Sequence, residues 1–304
     1  MLIQRRFLET VFLFGLFLAC ATWEKVYVPE LVTNPHFYCY NKPGHPSSYL
    51  LGTIHILSTD VLPQFVLKPL EKTNIIFVEG GSFSASHIKD KEIKLKTNPT
   101  STLLTPGQLN EVKEIFSSSK FTKDIDSLTP FELYRIYSFL KEKVNEPNVY
   151  FYFKSRESRG AMDLQIKNLA GKFKIPRSSL DDDATNEKLF FERFWLESIP
   201  EKGETNEAKV IAKTYQKLFD FYFDGDENKY LEIQQKDEVK SKIILDRRNQ
   251  LWVEYLDGFY KFSNYIAVGA GHLYGEKGLL ALLKRKGYQV HRLSKEKDLE
   301  LCSK

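Results

Sequence analysis

Tyr49-Leu50-Leu51-Gly52-Thr53-Ile54-His55 is the stretch that decides the fold, because it is an apolar strand that closes on a glycine and a histidine. A helical pattern over residues 63–72 follows it. A second apolar run, Ile75–Val78, then ends at Glu79. Strand, helix and strand at this spacing predict a β–α–β unit with a parallel pair of strands.

The other end of the chain has the same form. The apolar run Tyr265–Val268 leads directly into Gly269-Ala270-Gly271-His272. A helix over 276–286 that Gly287 closes, and a last strand over 289–293, are expected after it. Further helices are predicted at 106–118, 130–144, 157–172, 186–196, 205–223 and 226–257. We therefore predict an α/β fold, with one mixed central sheet that unites both ends, flanking helices and a helical middle segment.

Both Gly-x-x-His turns end an apolar strand, and ligands of open α/β sheets bind at the carboxyl ends of the strands. His55 and His272, with Glu79 at the end of a neighbouring strand, are therefore expected to meet at one edge of the sheet. Two imidazoles and a carboxylate with an open position are typical of a catalytic metal site. The alternative is that both histidines are strand-end residues bonded to nearby backbone, and the residues alone leave the two interpretations equal.

The composition is that of a soluble globular protein, with 42% hydrophobic and 28% charged residues among 304. The net charge of +4 comes from scattered lysines rather than from a basic block, so nucleic acid is not an expected partner. Neither a Pro/Gly linker nor a long apolar run divides the body of the chain. A single domain over 22–304 is the expectation.

The N-terminus has the layout of a secretory signal peptide over 1–21. Arg5 and Arg6 precede an apolar stretch that is too short to cross a bilayer, which takes about 20 residues. Cleavage after Ala21 would release a chain that starts at Thr22. A lipoprotein signal ending at residue 19 is the alternative, and it would leave a lipid anchor on Cys20 as the protein's contact with a membrane. Either way we expect export to the periplasm or the medium.

The remaining cysteines, Cys39 and Cys302, do not form a disulfide framework by number. In an oxidising compartment the two could pair and join the first strand region to the C-terminal tail. Two unpaired thiols are the alternative, and the sequence does not choose between them.

Longer motifs around both turns carry a family resemblance. They are, in chain order, Tyr49–Leu57 followed by Glu79, then Arg248-Asn249, and then Ala267–Leu279 with Lys286–Val290 after it. In these motifs the chain resembles the TraB/GumN family over about 35–293. Gly160-Ala161-Met162-Asp163 resembles the family's Gly-x-Asp position, whereas Leu180-Asp181-Asp182 departs from the Leu-Glu-Thr of many members.

The resemblance implies an α/β fold with two related halves, each of which presents a Gly-x-x-His turn. The family is similar to the Tiki-type proteases, which are divalent-metal enzymes, while other relatives are esterase-like or bind haem. It therefore implies a metal-dependent hydrolase, with Mn, Co or Zn as the cofactor and a peptide or small molecule as the substrate. A non-catalytic haem- or ligand-binding protein and a metal-free esterase-like enzyme are the alternatives.

On the same resemblance, His55, His272 and Glu79 are the metal ligands, and Glu79, Arg248 and Asn249 are the catalytic candidates. Arg248 carries a permanent, forked charge that suits an oxyanion or a carboxylate. Asn249 would position the substrate or a ligating histidine. Without the resemblance, Arg248 and Asn249 would be assigned to the polar surface of a helix.

Three other patterns are expected to be structural. The glycines of Gly269-x-Gly271-x-x-x-Gly275 do not complete a dinucleotide-binding half. Asp224-x-Asp226-x-Asn228 lacks the glycine of a calcium loop and is predicted to be a turn between helices. Asp181-Asp182-Asp183 is predicted to cap a helix. The default for the remaining histidines is the surface or a loop: His36, His45, His87 and His291.

Overall fold

A computed structural model of the protein describes residues 31–55, 57–79, 99–145, 162–181, 196, 199–200, 207–234 and 245–302. Several predictions lie outside these residues. They are the signal peptide over 1–21 with its two cleavage sites, the caps at Asp182 and Asp183, nearly all of the helix at 186–196, and His87.

Within the described residues the sheet has six strands, and it is mixed, as predicted. They are β1 (Phe37–Asn41), β2 (Ser48–Thr53), β3 (Ile75–Val78), β4 (Arg177–Ser179), β5 (Asn264–Gly269) and β6 (Gln289–Arg292). Their order across the sheet is β4-β3-β5-β2-β1-β6. The four strands from β4 to β2 are parallel, whereas β1 runs antiparallel to both β2 and β6.

The strand from the C-terminal end lies between the two strands from the N-terminal end. β5 pairs with β2 on one side, where Thr53 meets Gly269, and with β3 on the other, where Val78 meets Ala267. β2 and β3 are therefore parallel but not neighbours, so the expected direct pairing of these strands is wrong. All six residues of β5 are buried, as befits a central parallel strand that is covered on both faces.

Eight α-helices lie within the described residues. They are α1 (Gln64–Leu67), α2 (Pro106–Ser118), α3 (Pro130–Asn145), α4 (Met162–Lys172), α5 (Glu207–Asp224), α6 (Glu227–Gln234), α7 (Arg247–Asp257) and α8 (Leu279–Arg285). Short 3₁₀ helices cover Thr59–Val61, Lys68–Lys72, Thr100–Leu103, Ile125–Ser127, Ala270–His272 and Glu296–Cys302. The helix predicted at 226–257 is described as α6 and α7, with 235–244 outside the described residues.

Threonine caps begin the first two long helices, as their Thr-Pro starts predict. The Thr105 hydroxyl accepts from the Gln108 backbone, whose side chain accepts from the Thr105 backbone in return. Thr129 and Glu132 make the same reciprocal pair at the start of α3. Gly287 follows α8 with a φ of 84°, a conformation that favours glycine at the end of a helix.

Two hydrophobic clusters form among the described residues. The larger one surrounds the sheet, and its biggest fully buried side chains include Trp252, Tyr222 and Tyr265. The second joins α2 and α3 with Leu196 and Ile199. The expected turn between helices is present, since Asp224 ends α5, Gly225 has a φ of 67°, and Lys229 pairs with Asp224.

Cys39 and Cys302 form a disulfide, which settles the choice that the sequence left open. It joins β1 to the C-terminal 3₁₀ helix across 263 positions. Within the described residues, no helix is both long and apolar enough to span a membrane.

Candidate functional site

The order of the strands brings the predicted residues together at the carboxyl edge of the sheet. His55 follows β2, Glu79 follows β3, and His272 follows β5, which lies between them. The Nε2 of His55 lies 3.6 Å from Glu79 Oε2, and the Nε2 of His272 lies 3.3 Å from Glu79 Oε1. Both imidazoles therefore face one carboxylate.

Gly269 keeps the space between these side chains open. A Cβ at this position would lie 3.1 Å from Glu79 Oε2, 3.3 Å from His55 Nε2 and 3.7 Å from His272 Cδ2. The two rings thus border one small volume, and their separation is well below the ~10 Å at which a shared ion becomes impossible. A glycine is needed at position 269 because the side chain of any other residue would enter the site.

His55 is held by a carboxylate. Its Nδ1 donates to Asp163 Oδ2 at 2.5 Å, and the other oxygen of Asp163 accepts from Thr53 at 2.7 Å. The ring is open to solvent, with 56% of the side chain exposed. Desolvation opposes the charged ring, but Asp163 and Glu79 outweigh it and raise the pKa of His55 to about 9.

His272 is held by an amide. Asn249 Nδ2 donates to the carbonyls of His272 and Lys277, which turns Asn249 Oδ1 toward the His272 ring. His272 Nδ1 therefore donates to that oxygen at 2.6 Å and leaves Nε2 without a hydrogen. Only 4% of this side chain is exposed, and its burial lowers the pKa of His272, so the ring is neutral.

Glu79 is fixed from two sides. Its Oε2 accepts from the Gly269 backbone at 2.8 Å, and its Oε1 accepts from Arg248 Nη2 at 2.9 Å. Burial disfavours the charged carboxylate, but the positive charges of Arg248 and His55 outweigh it and hold the pKa of Glu79 well below its usual range. The site therefore contains a carboxylate that is ionised in the neutral pH range.

Arg248 brings a permanent positive charge to the site. Its Nε and Nη2 donate to Asp181 at 2.9 and 2.7 Å, a bidentate pair, while Nη1 lies 3.3 Å from His272 Nε2. Burial of the guanidinium acts to lower its pKa, but the carboxylates of Glu79 and Asp181 outweigh this effect and raise the pKa of Arg248. The helix-surface assignment is wrong for both catalytic candidates on α7, since Arg248 and Asn249 are 7% and 1% exposed.

The sequence only partly identified two residues of the site, Asp163 and Asp181. Asp163 was noticed through the family pattern without a role, and Asp181 stood at a departure from that pattern. Trp252 was missed, although it lies four residues after Arg248 and therefore on the same face of α7. Its Nε1 donates to Asp181 Oδ1 at 2.9 Å.

His36 corrects the assignment of the remaining histidines to surfaces and loops. It is buried directly behind the first turn, where its backbone carbonyl accepts from Gly52. Its Nε2 donates to the Phe221 carbonyl at 3.2 Å, and its Nδ1 accepts from the Tyr274 hydroxyl. Burial and the charge of Arg292 lower the pKa of His36 to about 3, so it is a neutral core residue.

Glu79 forms one pair of donor atoms with His55 and another with His272, and the spacing of each pair suits a divalent cation. Two atoms bound at ~2.1 Å to one ion lie about 3.0–3.5 Å apart, close to the two distances from Glu79 to the histidines. The carboxylates of Glu79, Asp163 and Asp181 also outnumber the guanidinium of Arg248. Among the described residues, no three acidic, histidine or cysteine side chains already converge on one point, and Arg248 Nη1 shares His272 Nε2.

The fold and the site define an α/β protein whose histidine, glutamate and arginine side chains cluster where parallel strands end. The model of the TraB/PrgY/gumN family matches residues 37–292, so the chain belongs to this family. None of the curated proteins or solved structures matches the chain.

Proposed function

We propose that the protein is an exported, divalent-metal-dependent hydrolase of the metalloprotease type. One observation carries the proposal: each histidine is anchored through Nδ1, and each presents Nε2 to the same glutamate. Metal-binding histidines characteristically donate their other ring nitrogen to a carboxylate or a carbonyl, which fixes the tautomer. His55, His272 and Glu79 are the residues that would hold the cation.

The excess of carboxylates supports a cation at this edge. Among the described residues, Glu79 and Asp181 contact the guanidinium of Arg248 and Asp163 contacts His55, so these three carboxylates outnumber the two groups that can be positively charged. A carboxylate oxygen has two lone pairs, so Glu79 can accept from Gly269 and Arg248 and still bind a cation. His272 Nε2 has one lone pair, and there the cation competes with Arg248 Nη1.

A divalent cation lowers the pKa of water that it binds and polarises a carbonyl. The chain supplies the rest. Asp181 holds Nε and Nη2 of Arg248, so Nη1 is the arm that can stabilise negative charge on a substrate oxygen. Asn249 positions His272, and Asp163 positions His55 at the solvent-exposed side from which a substrate would enter.

Export is supported by the disulfide. Disulfides form and persist in oxidising compartments, and Cys39 and Cys302 are paired. The periplasm or the medium is therefore the proposed location. N-terminal sequencing of the mature protein tests it, with Thr22 or a lipid-modified Cys20 as the expected first residue.

A metal-free hydrolase is the second candidate, and one observation favours it. Asp163 and the exposed His55 form a carboxylate–imidazole pair, an arrangement that serves as a general base in other hydrolases, and with a His55 pKa of about 9 it would act as a base in alkaline solution. A peptide-cleavage assay with a chelator separates the candidates. We expect cleavage to stop in chelator and to return with Zn²⁺, Mn²⁺ or Co²⁺. Full activity in chelator would contradict the metal-dependent function.

Arg248→Lys separates the role of the guanidinium from that of the cation. A lysine keeps the charge but cannot copy the bidentate fork that Asp181 holds. We expect this variant to bind zinc normally and to cleave slowly. Wild-type turnover in Arg248→Lys would show that the fork has no part in the reaction, while a Soret band lost in His272→Ala would favour haem binding instead.

A further inference from the structure

The indole of Trp252 contacts three residues of the site. Its ring lies 4.4 Å from the His272 ring, centroid to centroid, with 34° between the planes. Arg248 Cζ lies 4.5 Å from the centroid of the indole, and the indole N–H donates to Asp181 Oδ1 at 2.9 Å. Trp252 is fully buried, with 1% of its surface exposed. Trp252 therefore contacts both His272 and Arg248, the two residues that lie beside Glu79.

The contact with Asp181 fixes the partner of Arg248. Asp181 accepts from Nε and Nη2 of Arg248 and from Trp252 Nε1, and only 1% of its side chain is exposed. The guanidinium neutralises the carboxylate, while the indole N–H fixes the carboxylate from a second direction. A bidentate pair that is held in this way points Arg248 Nη1 in one direction.

The contact with His272 fixes the plane of the imidazole. The hydrogen bond from Nδ1 to Asn249 holds one edge of the ring, but it leaves the ring free to tilt about that bond. A large aromatic face at 4.4 Å removes this freedom. Together the two contacts determine where Nε2 points.

We propose that Trp252 is a positioning residue of this site: its ring face and its N–H together aim His272 Nε2 and Arg248, and so tune the affinity of the site for a divalent cation. The statement about affinity rests on the proposed function. The statement about orientation does not, because it concerns the protein without a cation.

Two variants separate the two contacts. Trp252→Phe keeps an aromatic face and removes the N–H, whereas Trp252→Leu removes both. Phe37→Leu is the matched control, because Phe37 is a fully buried aromatic on β1 whose ring contacts are Tyr49, Phe65 and Tyr265, all away from the site.

The first readout is nitrogen NMR of the imidazoles without metal. We expect the hydrogen of His272 on Nδ1 in all four proteins, because Asn249 fixes it there, with sharp ring-nitrogen signals in the wild type, in Phe37→Leu and in Trp252→Phe and with signals broadened by motion of the ring in Trp252→Leu. The Nε hydrogen of Arg248 is expected to exchange with solvent faster in both Trp252 variants, since Asp181 loses one of its anchors.

The second readout is calorimetric titration with Zn²⁺. Loss of a residue that orients a metal ligand typically weakens binding about 10- to 100-fold, and we expect this loss in Trp252→Leu and a smaller one in Trp252→Phe. Phe37→Leu should bind as the wild type does.

The outcomes separate the two proposals. A folded Trp252→Leu protein with the wild-type ring-nitrogen signals of His272 and the wild-type zinc affinity would overturn the positioning role. If Trp252→Leu does not fold, Trp252→Phe decides, because wild-type exchange at Arg248 and unchanged zinc affinity there would also overturn it. A wild-type protein that binds no zinc would overturn the proposed function, while the NMR comparison would still test the orientation of His272.

Discussion

The two Gly-x-x-His turns present the same ring atom to the same carboxylate, but the surrounding protein treats the two rings differently. His55 donates to an aspartate and has 56% of its side chain exposed, whereas His272 donates to an asparagine and has 4% exposed. The carboxylate raises the pKa of His55 to about 9, and burial lowers that of His272. One turn therefore exchanges protons with solvent, and the other supplies a fixed, neutral nitrogen.

The difference follows from where each partner originates. Asp163 belongs to α4 and reaches the outermost residue of the first turn, while Asn249 belongs to α7, which packs His272 beneath Trp252. Similar turn sequences thus acquire different chemistry from the helices beside them. A sequence motif fixes the direction of a side chain, and its neighbours fix its protonation.

The largest expected effect treats the turns alike. We expect His55→Ala, His272→Ala and Glu79→Gln each to reduce the proposed metal-dependent hydrolysis about 100-fold or more, because a catalytic cation would lower the barrier by several kcal/mol. The measurement is kcat/KM at saturating metal. His291→Ala, which removes an exposed histidine of β6, is the control and should retain full activity. If the variant of one turn kept full turnover, only the other turn would take part in the reaction.

The two turns should differ, however, in how much each histidine contributes to the stability of the fold. His272→Ala leaves Asn249 without its donor and opens a cavity beside Trp252, so we expect a loss of about 2 kcal/mol or more in the free energy of unfolding. His55→Ala removes a solvent-exposed ring and is expected to cost less than about 1 kcal/mol. Urea denaturation of both variants checks this, and equal losses would remove the asymmetry.

Much of this site could be predicted from local sequence. The glycine and histidine spacing placed His55 and His272 correctly at the ends of strands, and Glu79 at the end of another. The placement of β5 between β2 and β3 could not be predicted in the same way, because it pairs residues about two hundred positions apart in the chain. Hydrophobic patterns determine that a strand is buried and leave its neighbours open.

The residues that hold the side chains of the site were harder to predict, for the same reason. Asp163 and Asp181 meet their histidine and arginine only through tertiary packing, so a single sequence holds no spacing that joins them. Trp252 was accessible in principle, since it lies one helical turn after Arg248. His36 lacks any local sign of burial, and its environment comes from α5 and Tyr274.

Two tyrosines provide a smaller test of how the turns are held. Tyr222 donates to the Gly52 carbonyl at 3.1 Å, and Tyr230 donates to the Gly271 carbonyl at 2.8 Å. Replacing either one by phenylalanine should lower the free energy of unfolding by about 1 kcal/mol, the value of one hydrogen bond. We expect Tyr222→Phe to disturb the NMR signals of His55 and Tyr230→Phe those of His272. The reverse pattern would contradict this assignment.

The pH dependence of stability gives the smallest expected effect. A raised pKa in the folded state means that the Asp163–His55 pair stabilises fully below the ordinary pKa of 6.5, and that this is lost as the pH rises through about 9. Asp163→Asn should therefore cost more stability at pH 6 than at pH 10. Asn249→Ala should cost the same at pH 8 and at pH 10, because burial lowers the pKa of His272 and its ring is neutral at both. An Asp163→Asn loss that is independent of pH would place the value of Asp163 in its bond to Thr53.

The measurement that tests the account most directly is the zinc stoichiometry of the purified protein and of its two single-histidine variants. One cation held between the turns predicts one zinc per chain in the wild type, with tight binding lost in both His55→Ala and His272→Ala. Two separate sites, or a surface site elsewhere, would leave one variant or both with wild-type affinity. That result would contradict the claim that the two turns form one centre.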